Sequence, residues 1–183
     1  MSNETAKLHP QDSVTVHSNE LTFTGLTDAD FQLQSHSITS GQPFNGVSRL
    51  GGGTLSVNAG RKHSKPVGDW FNAQASGAKL PTHTELSAPD ELNFAIQGTL
   101  ILNDGNGPIS CPNFVIAQGN WGSVNYWWIS APGMIETDSD VQYLGKAGTL
   151  PCTQNGRSVK VHFTTESPNN SNTHSIIVRV TPA

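Results

Sequence analysis

The chain lacks long apolar runs and carries few charges. Charged residues make up 13% of its 183 residues and the formal net charge is −4, whereas globular proteins average roughly 25% charged residues. A transmembrane helix needs about 20 consecutive apolar residues, and no segment approaches that length. The sequence therefore predicts no transmembrane segment.

Basic charge is scarce as well. Its densest cluster is the short segment Arg61-Lys62-His63-Ser64-Lys65, whereas nucleic-acid binding needs a basic stripe that displaces counterions from phosphates. We therefore expect no nucleic-acid partner. The N-terminal stretch MSNETAKLHPQDS has no apolar core of the kind that signal peptides carry, which leaves open a cytoplasmic protein, an already mature chain, or release by a non-classical route.

Motifs for catalysis and structural zinc are missing. The sequence has no H-E-x-x-H, no G-x-S-x-G and no glycine-rich phosphate loop, so a non-catalytic protein is favoured. Its two cysteines, Cys111 and Cys152, form no C-x-x-C motif, which argues against a zinc site. The pair allows either one disulfide or two free thiols.

One acidic segment has spacing that suits a metal ion. Glu136, Asp138 and Asp140 occupy alternate positions, and three oxygen ligands on one side of a strand suit Ca²⁺. The segment lacks the glycine and the terminal glutamate of an EF-hand loop, so solvated charges are the favoured interpretation. We therefore predict no cofactor, with Ca²⁺ as the alternative.

Short segments with alternating apolar residues recur along the chain. Such a period of two is typical of half-buried strands, which we predict at 13–17, 20–25, 31–39, 54–59, 92–102, 113–118, 123–130, 158–165 and 175–181. Turn signals separate them, above all Asp104-Gly105, Asn106-Gly107 and Asn155-Gly156. The pattern predicts an all-β fold over a single domain, 1–183, with a polar N-terminal segment, 1–12. We expect an antiparallel β-sandwich of jelly-roll or Greek-key type, with a barrel as the alternative.

Aromatic residues concentrate in one stretch. The chain has four Trp and two Tyr, and Trp121, Tyr126, Trp127 and Trp128 lie within eight positions. Alternation along an extended segment places Tyr126 and Trp128 on one face and Trp127 on the other. One of the two adjacent indoles therefore points away from the core, where a loop covers it, a second subunit contacts it, or a ligand binds it.

The third alternative gives the leading functional hypothesis. Aromatic rings stack on the apolar faces of sugars and also lie at the headgroup layer of membranes. Neutral donors and acceptors stand beside these rings, as a polyol ligand needs. We predict that a glycan or a membrane lipid headgroup binds to Trp121, Tyr126 and Trp127, with help from Asn120 and Asn125.

The same segment carries a family resemblance. Trp121-Gly122-Ser123, followed by Asn125, Trp127 and Ser130, resembles the aromatic segment of aegerolysin-type and actinoporin-type β-sandwich cytolysins, and SVNAGR at 56–61 resembles a strand end in the aegerolysins. This resemblance covers a small part of the chain and implies lipid or glycan binding.

Two other functional classes remain open at this point. A surface rich in Ser, Thr and Asn would also suit a self-assembling structural subunit, such as a coat, virion or appendage protein, which would form a homo-oligomer. A carbohydrate-active enzyme is the third hypothesis, because two carboxylates facing each other across a cleft would suffice for glycoside hydrolysis.

Overall fold

Strands account for all regular secondary structure in the described part of the chain. In this computed structural model the described residues are 16–34, 44–60, 65–66, 91–121, 124–136, 148–165 and 173–183, and they contain twelve strands and no helix. The predicted all-β class is thereby confirmed. The polar N-terminal segment 1–12 lies outside these residues.

The strands follow the chain in twelve segments of very different length. Their bounds are β1 Val16–Thr24, β2 Asp28–Leu33, β3 Phe44–Gly51, β4 Thr54–Gly60, β5 Lys65–Pro66, β6 Glu91–Asn103, β7 Pro108–Trp121, β8 Val124–Ser130, β9 Ile135–Glu136, β10 Gly148–Gln154, β11 Arg157–Thr165 and β12 Thr173–Pro182.

All twelve strands belong to one sheet that curls into a nearly closed barrel. The main path runs β2-β6-β7-β10-β11-β12-β1-β4-β3, with β5, β8 and β9 pairing at its side. The pairing of β1 with β12 is parallel and the other pairings are antiparallel. The barrel alternative therefore describes the fold better than the two-layer sandwich. Closing the sheet protects strand edges that a flat sheet would expose.

The two ends of this path, β2 and β3, face each other without a backbone ladder. The Arg49 guanidinium on β3 forms an ion pair with the Asp28 carboxylate on β2. Both side chains are partly exposed, and exposed ion pairs contribute little to stability. This pair therefore lies at the junction where the barrel closes, but it contributes little to the stability of that junction.

Apolar side chains from alternate strand positions fill the interior. Leu21 and Phe23 on β1, Val161 and Phe163 on β11 and Ile176 on β12 are almost completely buried. The rings of Phe23 and Phe163 meet edge to face, with centroids 6.4 Å apart. Period-two patterning in the sequence thus corresponds to the inner face of the barrel.

The prediction missed some strands and divided another. The two segments predicted at 13–17 and 20–25 meet in one strand, β1. Strands β3 and β10 were missed because β3 contains glycines in place of apolar residues and β10 contains Pro151. Pro151 is exposed, and in a strand proline weakens the expected pattern.

Candidate functional site

Two tight hairpin turns meet at one end of the barrel. The first joins β6 to β7, and its backbone is fixed by Asn103 Oδ1, which accepts a bond from the Gly105 N–H (2.8 Å). The second joins β10 to β11 through Asn155 and Gly156, whose φ angles of 50° and 75° are those of a type I′ turn. Both turns lie where the sequence predicted them.

Side-chain carboxamides connect the two turns. Gln154 Nε2 donates to Asp104 Oδ1 (2.7 Å) and to the Gly107 carbonyl oxygen (3.0 Å). Asn155 Nδ2 donates to the Asn106 carbonyl oxygen. Backbone pairing between β7 and β10 is confined to Ile109 and Gln154, so these polar contacts strengthen a sparse part of the ladder.

An open pocket of about 580 Å³ lies beside this junction. We call it the polar pocket and define it by its lining residues: Asp104, Asn106, Gln154, Asn155, Arg157, Ser158, Val159, Val180, Thr181 and Pro182. Its wall combines a carboxylate, carboxamides, a guanidinium and hydroxyls with three aliphatic side chains. Such a surface offers hydrogen-bond donors, acceptors and an apolar patch to one ligand.

Asp104 is the anionic group of the polar pocket. Partial burial acts to raise its pKa, but hydrogen bonds donated by the Asn106 backbone and carboxamide and by Gln154 outweigh burial and lower the pKa below its ordinary value. The carboxylate is therefore ionised at neutral pH and acts as an acceptor. Arg157, on the same wall, forms no ion pair with any described residue.

A second, smaller groove adjoins the polar pocket through Thr181. His162 lines this groove of about 280 Å³, where Thr149 Oγ1 lies 3.1 Å from its Nδ1 and Thr181 Oγ1 lies 2.8 Å from its Nε2. Partial burial, together with the nearby charges of Arg179 and Lys160, lowers the pKa of His162. The imidazole therefore lies between two hydroxyls, outside the barrel core.

The predicted aromatic site has a different geometry from the one expected. Trp127 is fully buried at 0% exposure, because it shares the inner face with Ile129 and packs against the ring of His174. This corrects the prediction that the Trp127 indole is presented to a ligand outside the core. The side chains of Trp121, Tyr126, Asn120 and Asn125 lie outside the described residues, and their binding role stays a prediction.

The remaining predicted sites have mixed outcomes. Cys111 and Cys152 are free thiols whose sulfur atoms lie 3.8 Å apart. Asp138, Asp140 and the side chain of Glu136 lie outside the described residues, so the Ca²⁺ alternative stays a prediction. Within the described ranges, no group of three or more His, Cys, Asp or Glu residues is placed to hold a metal ion.

Three residues of the polar pocket, Asp104, Asn106 and Asn155, were predicted as turn residues, and none of its lining residues was predicted as a binding residue. Asp104 and Gln154 are 50 positions apart in sequence, and nothing in the sequence pattern pairs β7 with β10. The available signal was the presence of two Asx-Gly turns, since hairpin turns of a barrel must lie at one end or the other.

Comparison with known proteins identifies no relative of this chain. No protein-family model, curated protein or solved structure matches it significantly. The resemblance to the β-sandwich cytolysins accordingly carries no further argument. In the described part of the chain, no helix is long and apolar enough to cross a membrane.

Proposed function

We propose that this protein is a non-catalytic recognition protein that binds a hydroxyl-rich glycan in the polar pocket. The observation that carries the proposal is the chemistry of the pocket wall, where Asp104, the carboxamides and Arg157 surround a space of about 580 Å³. The sequence also suggested a glycan as the ligand, but it placed the binding site at the aromatic residues and not in the polar pocket.

Sugar hydroxyls both donate and accept, and the polar pocket offers partners for both. The ionised Asp104 carboxylate accepts from hydroxyls, and Arg157 donates to ring or hydroxyl oxygens. Both Nε2 hydrogens of Gln154 are used within the fold, while its Oε1 accepts no bond from a described residue. That oxygen is therefore available to a ligand hydroxyl.

Aliphatic groups in the pocket suit the apolar face of a sugar ring. Val159, Val180 and Pro182 line the pocket beside the polar groups. Pockets for small ligands combine apolar walls with a few placed polar groups that fix orientation. The pocket thus offers a contact surface for C–H groups and hydrogen-bonding partners for hydroxyl groups.

Recognition is favoured over hydrolysis. Glycosidases of the common type use two carboxylates about 5–10 Å apart. Among the lining residues of the polar pocket, Asp104 is the single carboxylate. The pocket chemistry therefore supports binding, with the carboxylate as a hydrogen-bond acceptor.

A glycan panel followed by one pair of variants tests the proposal. The labelled 183-residue chain is applied to the panel, and the dissociation constant of the strongest glycan is measured by calorimetry. Arg157→Ala should weaken binding at least about tenfold, since a charge-assisted hydrogen bond contributes more than 1.4 kcal/mol. Lys160→Ala is the matched control, because Lys160 is an exposed cation on the same strand outside the pocket lining.

Two results would contradict the proposal. One is the absence of binding to any glycan on the panel, and the other is equal affinity of the Arg157→Ala and Lys160→Ala variants. In a second experiment the chain is mixed with vesicles of phosphatidylcholine and sphingomyelin. Binding of the chain to these vesicles, without binding to any glycan, would indicate that lipid headgroups are the ligand. Light scattering at high protein concentration checks the other predicted class, a self-assembling subunit.

A further inference from the structure

Cys111 on β7 and Cys152 on β10 lie opposite each other across two neighbouring strands. The antiparallel register pairs Ile109 with Gln154, and two further steps along each strand bring Cys111 opposite Cys152. Their sulfur atoms are 3.8 Å apart. The two thiols are therefore cross-strand neighbours although 41 positions separate them in sequence.

Cross-strand geometry permits a disulfide at this position. Directly opposed residues of antiparallel strands have Cα atoms about 4.5 or 5.5 Å apart, and disulfides span Cα separations of about 4.4–6.8 Å. The sulfur atoms must approach from 3.8 Å to the bond length of about 2.05 Å. Side-chain rotation can provide this shift, because both residues already point to the inner face.

The two thiols differ in exposure and acidity. Cys111 is completely buried, whereas Cys152 is partly exposed. A hydrogen bond between the sulfurs lowers the pKa of Cys152 and, together with burial, raises the pKa of Cys111. Cys152 is thus the accessible thiol that forms a thiolate first, and thiolates are the reactive species in thiol–disulfide exchange.

We propose that Cys111 and Cys152 form a redox modification site that small-molecule disulfides of the glutathione class oxidise to a cross-strand disulfide. The Cys152 thiolate attacks one sulfur of the oxidant, whose S–S bond breaks and releases one thiolate that takes up a proton. Cys111 then loses its proton and attacks Cys152 Sγ, which releases the second small thiol. Two protein thiols and one small disulfide thus become one protein disulfide and two small thiols, with two electrons transferred to the oxidant.

The bond would strengthen the barrel where its ladder is sparse. Backbone pairing of β7 with β10 is limited to Ile109 and Gln154, while β10 and β11 pair over their whole facing length. A covalent link that closes a long loop restricts the unfolded chain. We expect the midpoint of thermal unfolding to rise by roughly 5–10 °C on oxidation. This inference does not depend on the proposed glycan binding.

Intact mass measurement tests the reaction on the 183-residue chain. The reduced protein is incubated with oxidised glutathione, denatured in N-ethylmaleimide and weighed. We expect both thiols to disappear together, without an accumulating glutathione adduct, and the thermal midpoint to rise. Survival of both thiols in excess oxidised glutathione would overturn the proposal, as would oxidation into intermolecular dimers.

Two serine variants separate the roles of the cysteines. Cys111→Ser should stop at one stable glutathione adduct on Cys152, because no second thiol resolves it. Cys152→Ser should keep an unmodified thiol under native conditions, because Cys111 is buried. The assignment of roles is wrong if the adduct forms on Cys111 in the Cys152→Ser variant and not on Cys152 in the other.

Discussion

The indole of Trp127 on β8 and the imidazole of His174 on β12 stack nearly parallel inside the barrel. Their ring centroids lie 6.4 Å apart with an angle of 16° between the planes. Trp127 is 0% exposed and His174 is 2% exposed. Trp127, which the sequence assigned to ligand binding, is therefore part of the buried core instead.

Replacing Trp127 should therefore affect stability first. We expect Trp127→Ala to lower the free energy of unfolding by about 3–5 kcal/mol, because truncation of a buried Trp leaves a large cavity. Urea denaturation measures the loss. Leu50→Ala is the control, since Leu50 is 55% exposed and should change stability by less than about 0.5 kcal/mol. An unchanged midpoint for Trp127→Ala, with loss of glycan binding, would return Trp127 to the ligand site.

His174 should make the folded state sensitive to acid. Burial lowers its pKa from 6.5 to about 4, so the unfolded chain binds more protons between these values. Stability then falls as the pH decreases from about 6.5 to 4, by roughly 3 kcal/mol in total, and the loss levels off below pH 4. His174→Phe keeps an aromatic ring beside Trp127 but removes the titrating group.

The matched measurement is urea denaturation of both proteins between pH 4 and 8. Among the described residues, the ring nitrogens of His174 have no hydrogen-bond partner, so His174→Phe should be no less stable than the native protein at pH 8. The two stabilities should diverge steadily below pH 6.5. Parallel curves over the whole range would show that His174 is solvated in the folded protein.

Gln154 should stabilise the contact between the two hairpin turns. It is 8% exposed and donates to Asp104 and Gly107. Gln154→Leu should lower the free energy of unfolding by about 1–3 kcal/mol, because two partly buried acceptors lose their donor. Thr153→Val is the control on the same strand, at an exposed position. Equal stability of the two variants would mean that solvent replaces the carboxamide without cost.

The pKa of Asp104 provides a second readout for the same variant. Hydrogen bonds lower it in the folded protein, so Asp104 contributes stability above its ordinary pKa and loses that contribution as the pH falls through the lowered value. Gln154→Leu should raise the pKa of Asp104. Carboxyl titration followed by NMR measures this rise, and an unchanged pKa would exclude Gln154 as a cause of the shift.

The sequence predicted the strands better than their arrangement. Alternation located β6, β11 and β12 because each has one apolar face, and turn residues located both hairpins. Barrel closure was not decided by the sequence, because alternation describes one strand while closure depends on the twist of the whole sheet. The placement of β2 beside β3, across the Arg49–Asp28 ion pair, depends on that global geometry.

The same limit explains what the sequence predicted about the sites. Alternation places Trp127 and Ile129 on one face of β8, and both are buried, but parity does not reveal which face is the inner one. The placement of Trp127 was therefore open to error. Asp104 and Gln154 could not be joined beforehand, since their contact requires β7 and β10 to be neighbours. In the sequence, a buried histidine such as His174 is distinguished from an exposed one only by whether its position in β12 belongs to the inward-facing or the outward-facing set.

Gly98 gives the last prediction, and it tests the packing at the β2–β6 pairing. This glycine lies opposite Leu33 on β2, and a Cβ placed on it would collide with the Gln32 carbonyl oxygen and approach Phe31 Cε1 to 2.7 Å. Its φ lies outside the left-handed region, so contact alone excludes a side chain. Gly98→Ala should therefore lower the free energy of unfolding by about 1–3 kcal/mol through overpacking.

The control for this prediction is Thr99→Ala at the next, half-buried position of β6, where loss of β-propensity costs up to about 1 kcal/mol. Urea denaturation compares the two variants. If Gly98→Ala is as stable as Thr99→Ala, then β2 is free to shift away from β6 and the ring of Phe31 does not lie against this glycine. If Gly98→Ala is clearly less stable than Thr99→Ala, the close approach of the β2 backbone to Gly98 explains the difference. Both substitutions are otherwise similarly small changes on neighbouring residues.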